Sequence, residues 1–255
     1  MGNSPSIPTD PRQQVQVIGA GFSRTGTGSF TMAMEKLLGG PAFHGGSQCI
    51  GREDAFAKLY HDVFKYRHDK PRLKKLLREL TSGFVAVADS PIIFFAEELC
   101  ELYPDALVIC MTRDKESWWR SMKPLQDASG AWWMSILLWP CPGWRWLAPT
   151  AVWYNECCVE RYGVGLSPDT YDKHIEYVKR VVPKERLHFV SLHDGWRPIC
   201  EALDKPIPEE PFPRTNESGA VSKVVSNLLL KALLIWIMLL STLGTMIYLA
   251  LLFLN

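Results

Sequence analysis

The sequence predicts an α/β fold, a parallel sheet flanked by helices, followed by one C-terminal transmembrane helix. Three observations carry this expectation. Short apolar runs alternate with amphipathic stretches, a Gly-rich turn joins the first run to the first stretch, and a long uncharged run closes the chain. The 255 residues suit one such domain with additions. Residues 1–14 are polar and Pro-rich and read as a flexible N-terminus. Residues 15–216 form the domain, 217–231 a linker and 232–254 the membrane helix.

Residues 15–18 are a short apolar strand. Residues 28–38 follow as a helix, with Met32, Ala33, Leu37 and Leu38 at helical spacing. Residues 73–80 read as a basic amphipathic helix, 84–88 as a second strand and 92–102 as the helix after it. The run 106–111 is apolar throughout, as a strand buried on both faces requires. Residues 115–122 start another helix, 171–181 form one more, and 187–190 are a fourth strand. No internal repeat interrupts this order.

A boundary lies near residue 215. Lys205 to Pro213 is Pro-rich and acidic, and Thr215-Asn216-Glu217-Ser218-Gly219 reads as a loop. Residues 232–254 then contain no charge. At about 1.5 Å per residue they reach roughly 34 Å, enough for a bilayer core of about 30 Å. Trp236 and Tyr248 lie towards the two ends, and Lys223 and Lys231 precede the run, which places the domain on the cytosolic side. A buried core helix is the alternative, but a soluble helix of this length normally keeps a polar stripe. With only Asn255 beyond it, insertion is expected after translation ends.

Composition narrows the function. The net charge of +1 argues against a broad nucleic-acid-binding surface. Seven cysteines, with Cys157 and Cys158 adjacent and no CxxC pair, favour reduced thiols. No metal-ligand cluster is visible, so no metal is expected. The N-terminus has no secretory signal; Met1-Gly2-Asn3-Ser4-Pro5-Ser6 fits the short pattern for N-myristoylation.

The most informative segment runs from Val15 to Ser29. A strand enters a Gly-rich turn that opens a helix, so backbone N–H groups and the positive helix end converge on one point, where a phosphate binds. Gly19 and Gly21 begin a dinucleotide fingerprint, but bulky Arg24 stands at its third glycine. Gly21 and Gly26 begin a Walker A pattern, but Thr27 replaces its Lys, which argues against ATP or GTP hydrolysis. What remains is an anion site with the Arg24 cation and hydroxyls at Thr25, Thr27 and Ser29.

Gly21-Phe22-Ser23-Arg24-Thr25-Gly26-Thr27-Gly28-Ser29 resembles the 5′-phosphosulfate loop of sulfotransferases that use 3′-phosphoadenosine 5′-phosphosulfate (PAPS). It is most similar to the branch with an Arg-Thr-Gly-Thr core, whose members are sometimes misnamed NAD-dependent epimerases. The resemblance covers residues 15–216 and implies a P-loop NTPase-like sheet, with PAPS as co-substrate held by Ser23, Arg24, Thr25, Gly26, Thr27, Gly28 and Ser29. It also assigns the 3′-phosphate to a strand-end Arg and a Ser eight residues later, and Arg113 and Ser121 match. Arg supplies bidentate contacts to a phosphate and Ser a hydroxyl. Asp89, before Ser90-Pro91 at a strand end, stands where the better-known branch has a His as general base; its alternative is to cap the helix near Ile92. His44 occupies a position where family members commonly carry His, and either faces the acceptor or packs. The turn at His193 and Asp194 reads as mainly structural. Arg214 and Asn216 fit the closing segment, although the Arg-Lys-Gly triplet of the cytosolic branch is missing.

The Trp-rich segment 132–154 has three readings: core, the wall or lid of an apolar acceptor pocket, or a membrane-interface element. The implied reaction is in-line sulfonate transfer from PAPS to a hydroxyl of a small apolar or aromatic acceptor, in a membrane-anchored enzyme with a homodimer left open. Arg24 and Thr27 would neutralise the leaving phosphate, and Asp89 would take the acceptor proton. A repurposed enzyme of secondary metabolism catalysing elimination or cyclisation is the rival on the same scaffold. A non-catalytic membrane adaptor is the rival of another class.

Overall fold

The computed structural model describes residues 5–129, 132–215 and 217–254. The expectations for Gly2 and Asn216 lie outside the described residues. The chain runs β1 (Val17–Gly19), α1 (Thr27–Leu38), β2 (Ala42–His44), α2 (Gly45–Gly51), α3 (Asp54–Lys65), α4 (Lys70–Leu80) and β3 (Ala86–Ala88). A 3-10 turn at Ile92–Phe94 leads to α5 (Ala96–Leu102), β4 (Leu107–Thr112), α6 (Lys115–Ser129), α7 (Trp132–Leu138) and α8 (Leu147–Tyr162). It closes with α9 (Pro168–Val181), β5 (Leu187–Ser191), α10 (Arg197–Leu203) and α11 (Glu217–Leu254).

The five strands form one parallel sheet in the order β2-β3-β1-β4-β5. Val17 lies level with Ala86 on one side and Leu107 on the other. β1, β3 and the middle of β4 are fully buried, which explains their unbroken apolar sequences. One face packs Phe30 and Met34 of α1 against Val17 and Ile109, together with Ile199 of α10. The other face carries the larger core, from Phe22, Phe64 and Phe94 to Trp118 and Tyr177. The chain leaves β1 towards β2 and later crosses back to β4. The crevice beyond the ends of β1 and β4 is therefore the topological switch point, where open α/β sheets bind ligands.

The fold class matches expectation, while several elements differ. There are five strands where the pattern indicated four, because β2 is only three residues long and shows no alternation. The helix expected over 92–102 is broken at Phe95 into a 3-10 turn and α5. α6 starts at Lys115 as expected and continues through Pro124 to Ser129. The expected linker 217–231 is helical and continuous with the apolar run.

The stretch Ser226–Phe253, with mean hydropathy 2.1, is long and apolar enough to cross a membrane. Its start is docked: Leu228 and Ala232 are buried against Leu138 and Cys141, and Trp236 Nε1 donates to the Leu137 carbonyl at 3.0 Å. The described side chains after Trp236 are all exposed.

Candidate functional site

The loop between β1 and α1 is held by its carbonyls. His174 Nε2 donates to the Ala20 carbonyl at 2.7 Å, Trp118 Nε1 to that of Ser23 at 2.9 Å, and Arg113 Nη1 to that of Arg24 at 3.1 Å. Gly21 is required by contact, since a Cβ there would lie 2.7 Å from the backbone of Met111 in β4. Arg24 adopts left-handed φ 74, a conformation that glycine tolerates far better. This turn sends its guanidinium across the crevice, where Nε donates to Ser121 Oγ at 3.1 Å. α1 then starts with no acidic residue in its first turn, so its positive end is uncompensated by nearby carboxylates of its own.

Arg24, Ser29, Arg113 and Ser121 line one cleft of about 540 Å³, together with Gly26, Ser117, His193 and Thr215. The two loops singled out in the sequence, distant along the chain, thus meet at the switch point. Asp114 is the acidic residue on this wall, and its carboxylate caps α6 by accepting from the Ser117 N–H at 2.8 Å. Thr25 turns away: its hydroxyl donates to the Phe22 carbonyl at 2.7 Å. Arg214 is exposed and outside the cleft, whereas its neighbour Thr215 lines it and donates its N–H to Ser29 Oγ at 3.2 Å. His193, read as structural from sequence, also faces the cleft.

A second group forms around Asp89, which is 6% exposed and also left-handed, at φ 70. Ser23 Oγ donates to Asp89 Oδ1, and the Gly46 N–H donates to Oδ2 at 2.9 Å. The capping alternative for Asp89 is therefore correct in kind but not in place. Its carboxylate sits at the start of α2, not of the turn at Ile92. α2 can come this close because position 45 is glycine: a Cβ there would fall 1.6 Å from the Ser90 carbonyl oxygen.

His44, at the end of β2, completes the group. Its Nδ1 accepts from the Ser47 N–H at 3.3 Å. A backbone N–H can only donate, so the neutral ring carries its proton on Nε2. That nitrogen lies 3.1 Å from Thr27 Oγ1 and 3.6 Å from Asp89 Oδ2. His44 thus bonds the first turn of α1 and lies close to the carboxylate, at 3.6 Å just beyond hydrogen-bond distance.

Tyr154 was not singled out individually in the sequence. It comes from α8, inside the Trp-rich segment, and its hydroxyl donates to Ser23 Oγ at 3.3 Å. Burial pushes its phenol well above the ordinary range, so it stays a donor. A hydroxyl chain Tyr154–Ser23–Asp89 results. Beneath it, Tyr60 donates to the Ser90 carbonyl at 2.8 Å. Burial, with the Asp89 charge second, pushes the nearby Cys49 thiol up to about 12, so it is no nucleophile at neutral pH. Among the described residues no cluster of metal-ligating side chains is present.

The donors lining the cleft, two guanidinium groups and several hydroxyls, suit an anionic ligand. Arg24, Gly26 and Ser29 line the cleft at the loop and helix start, while Thr27 is buried behind them with its hydroxyl 3.1 Å from His44 Nε2. Arg113 and Ser121 line its opposite wall. Comparison with known proteins agrees with this geometry. Residues 16–221 match the model of a sulfotransferase domain family. An Aspergillus versicolor protein named Ava biosynthesis cluster protein M is 32% identical over 213 residues, covering 78% of this chain and 80% of that protein.

Proposed function

The chain belongs to the sulfotransferase domain family, and from that premise we propose that it transfers a sulfonate group from PAPS to a hydroxyl of a small apolar or aromatic acceptor. The observation that carries the reading is the Ser23 bridge. The loop that presents Arg24 and Thr27 is hydrogen-bonded directly to the carboxylate that would act as base, so anion binding and proton removal share one rigid unit. PAPS, when bound, supplies the sulfonate and a stable leaving phosphate.

The roles of the chain's own groups follow. Arg24, Thr27 and the loop amides stabilise charge developing on the 5′ leaving oxygen. Arg113 and Ser121 hold the 3′-phosphate and set register. Asp89 Oδ1 and Oδ2 each accept one strong hydrogen bond and each keep a lone pair, so the carboxylate can still receive the acceptor proton. His44 holds Thr27 through Nε2 and is not itself the base in this tautomer. The similarity to a biosynthesis cluster protein supports an acceptor of secondary metabolism. α11 supports a single-pass anchor.

Calorimetry on the full chain in detergent, with 3′-phosphoadenosine 5′-phosphate against ADP and NAD, tests the nucleotide. Clear preference for the 3′-phosphorylated nucleotide is expected; equal binding of ADP would remove the 3′ assignment. Transfer of labelled sulfonate from PAPS into product then tests the chemistry. An unsulfonated product would favour elimination or cyclisation.

A further inference from the structure

α7 has two faces. Met134, Leu137 and Leu138 turn towards α11, where Leu138 is fully buried with Cys141, Leu228 and Ala232. Trp132, Ile136 and Trp139 recur on the opposite face and are 76%, 57% and 67% exposed, with Trp133 beside them at 45%. These three are the exposed tryptophans among the described residues; the others are buried or half-buried. Isolated surface apolar groups need no explanation, but a contiguous patch of this kind marks a contact surface.

The position of the patch says what covers it. Trp236 bonds to the Leu137 carbonyl, which fixes α7 at the level of residue 236 on the membrane helix. Residues 237–253 extend beyond this point, and at about 1.5 Å each they reach roughly 26 Å. A hydrocarbon core is about 30 Å thick, so it extends past residue 236 towards α7. Tryptophan prefers this depth, with its ring among acyl chains and its N–H among headgroups.

We propose that α7 is a membrane-interface helix, with Trp132, Ile136 and Trp139 seated at the headgroup–acyl boundary of the bilayer that α11 crosses. The proposal rests on the reading of α11 as an anchor. Two points of attachment, α11 and α7, then fix the tilt of the domain, where a single helix would leave it free to swivel. The held corner continues into α8, which carries Tyr154 about two turns from its start.

The test uses the full chain in phosphatidylcholine vesicles, with and without bromine on the acyl chains near the glycerol end. Carbonate extraction reads the anchor separately: release of the chain would sink the α11 reading itself. With the anchor intact, brominated lipid is expected to quench a fluorescence component that the W132F/W133F/W139F variant lacks. Equal quenching of the two proteins, with the three indoles open to aqueous iodide, would overturn the proposal. So would protection from both quenchers together with cross-linking between two copies. A spin label at Ile136→Cys keeps every tryptophan and reads the same depth. Greater accessibility to oxygen than to a water-soluble nickel chelate is expected, and the reverse overturns the proposal.

Discussion

The two sides of the site are made in opposite ways. The phosphate loop is local, a few consecutive residues between β1 and α1, with its carbonyls held by Trp118, Arg113 and His174. The Asp89 side is assembled from distant parts: Ser23 from the loop, His44 from β2, Gly46 from α2 and Tyr154 from α8. A local site can be kept by a short sequence motif. An assembled one depends on several packing contacts being right together, and so can change acceptor while the nucleotide end stays fixed.

This comparison can be broken most directly at Asp89. Asp89→Asn keeps the shape and removes the base, so kcat should fall by about 10²–10⁴-fold with unchanged nucleotide affinity. Paired turnover and calorimetric measurements read both quantities, and a parallel loss of affinity would show that the two sides act as one. Arg24→Ala should do the converse, weakening 3′-phosphoadenosine 5′-phosphate by on the order of 100-fold, or about 3 kcal/mol. Normal binding would remove the loop from the nucleotide site.

The support beneath the loop sharpens the contrast through pH. His174 is fully buried, donates from Nε2 to Ala20 and accepts at Nδ1 from Tyr162 at 2.9 Å. Burial lowers its pKa from 6.5 to about 4. Between these values the unfolded chain binds the extra proton, so this contribution to stability is complete above pH 6.5 and is lost as pH falls to 4. By pH 4.5 the loss should be about 3 kcal/mol. Denaturant titrations at pH 7 and 4.5 should show a smaller pH dependence in His174→Gln, and an equal dependence would reject the assignment. Arg113→Ala should weaken the 3′-phosphorylated nucleotide by about tenfold and ADP hardly at all. Tyr154→Phe should have the smallest effect, roughly 1 kcal/mol on turnover with no change in nucleotide affinity.

The same contrast explains what could be read from sequence. Strand, glycines and helix succeed one another within residues 15–38, so the loop was legible, and the resemblance that singled out Arg113 and Ser121 led to two residues that line the same cleft. Asp89 could be located but not understood. Its partners depend on a three-residue strand without periodicity and on a glycine whose purpose, the approach of Ser90, has no sequence signature. Tyr154 was hidden among aromatics that divide between core, site and surface. Of the closing segment, Thr215 lines the cleft while Arg214 is exposed outside it.

Arg24 and Asp89 share an unusual backbone. Both are in the left-handed region, where glycine is easier than arginine by roughly 1 kcal/mol or more and aspartate is among the better-tolerated residues. Folding therefore strains both positions while their side-chain bonds, Arg24 to Ser121 and Asp89 to Ser23 and Gly46, act against that strain. If the proposed sulfonate transfer is what these side chains serve, glycine at position 24 or asparagine at position 89 in a descendant would mark a lineage that had stopped using it. An arginine and an acid kept at both would mark a lineage still bound to it, whatever its acceptor had become.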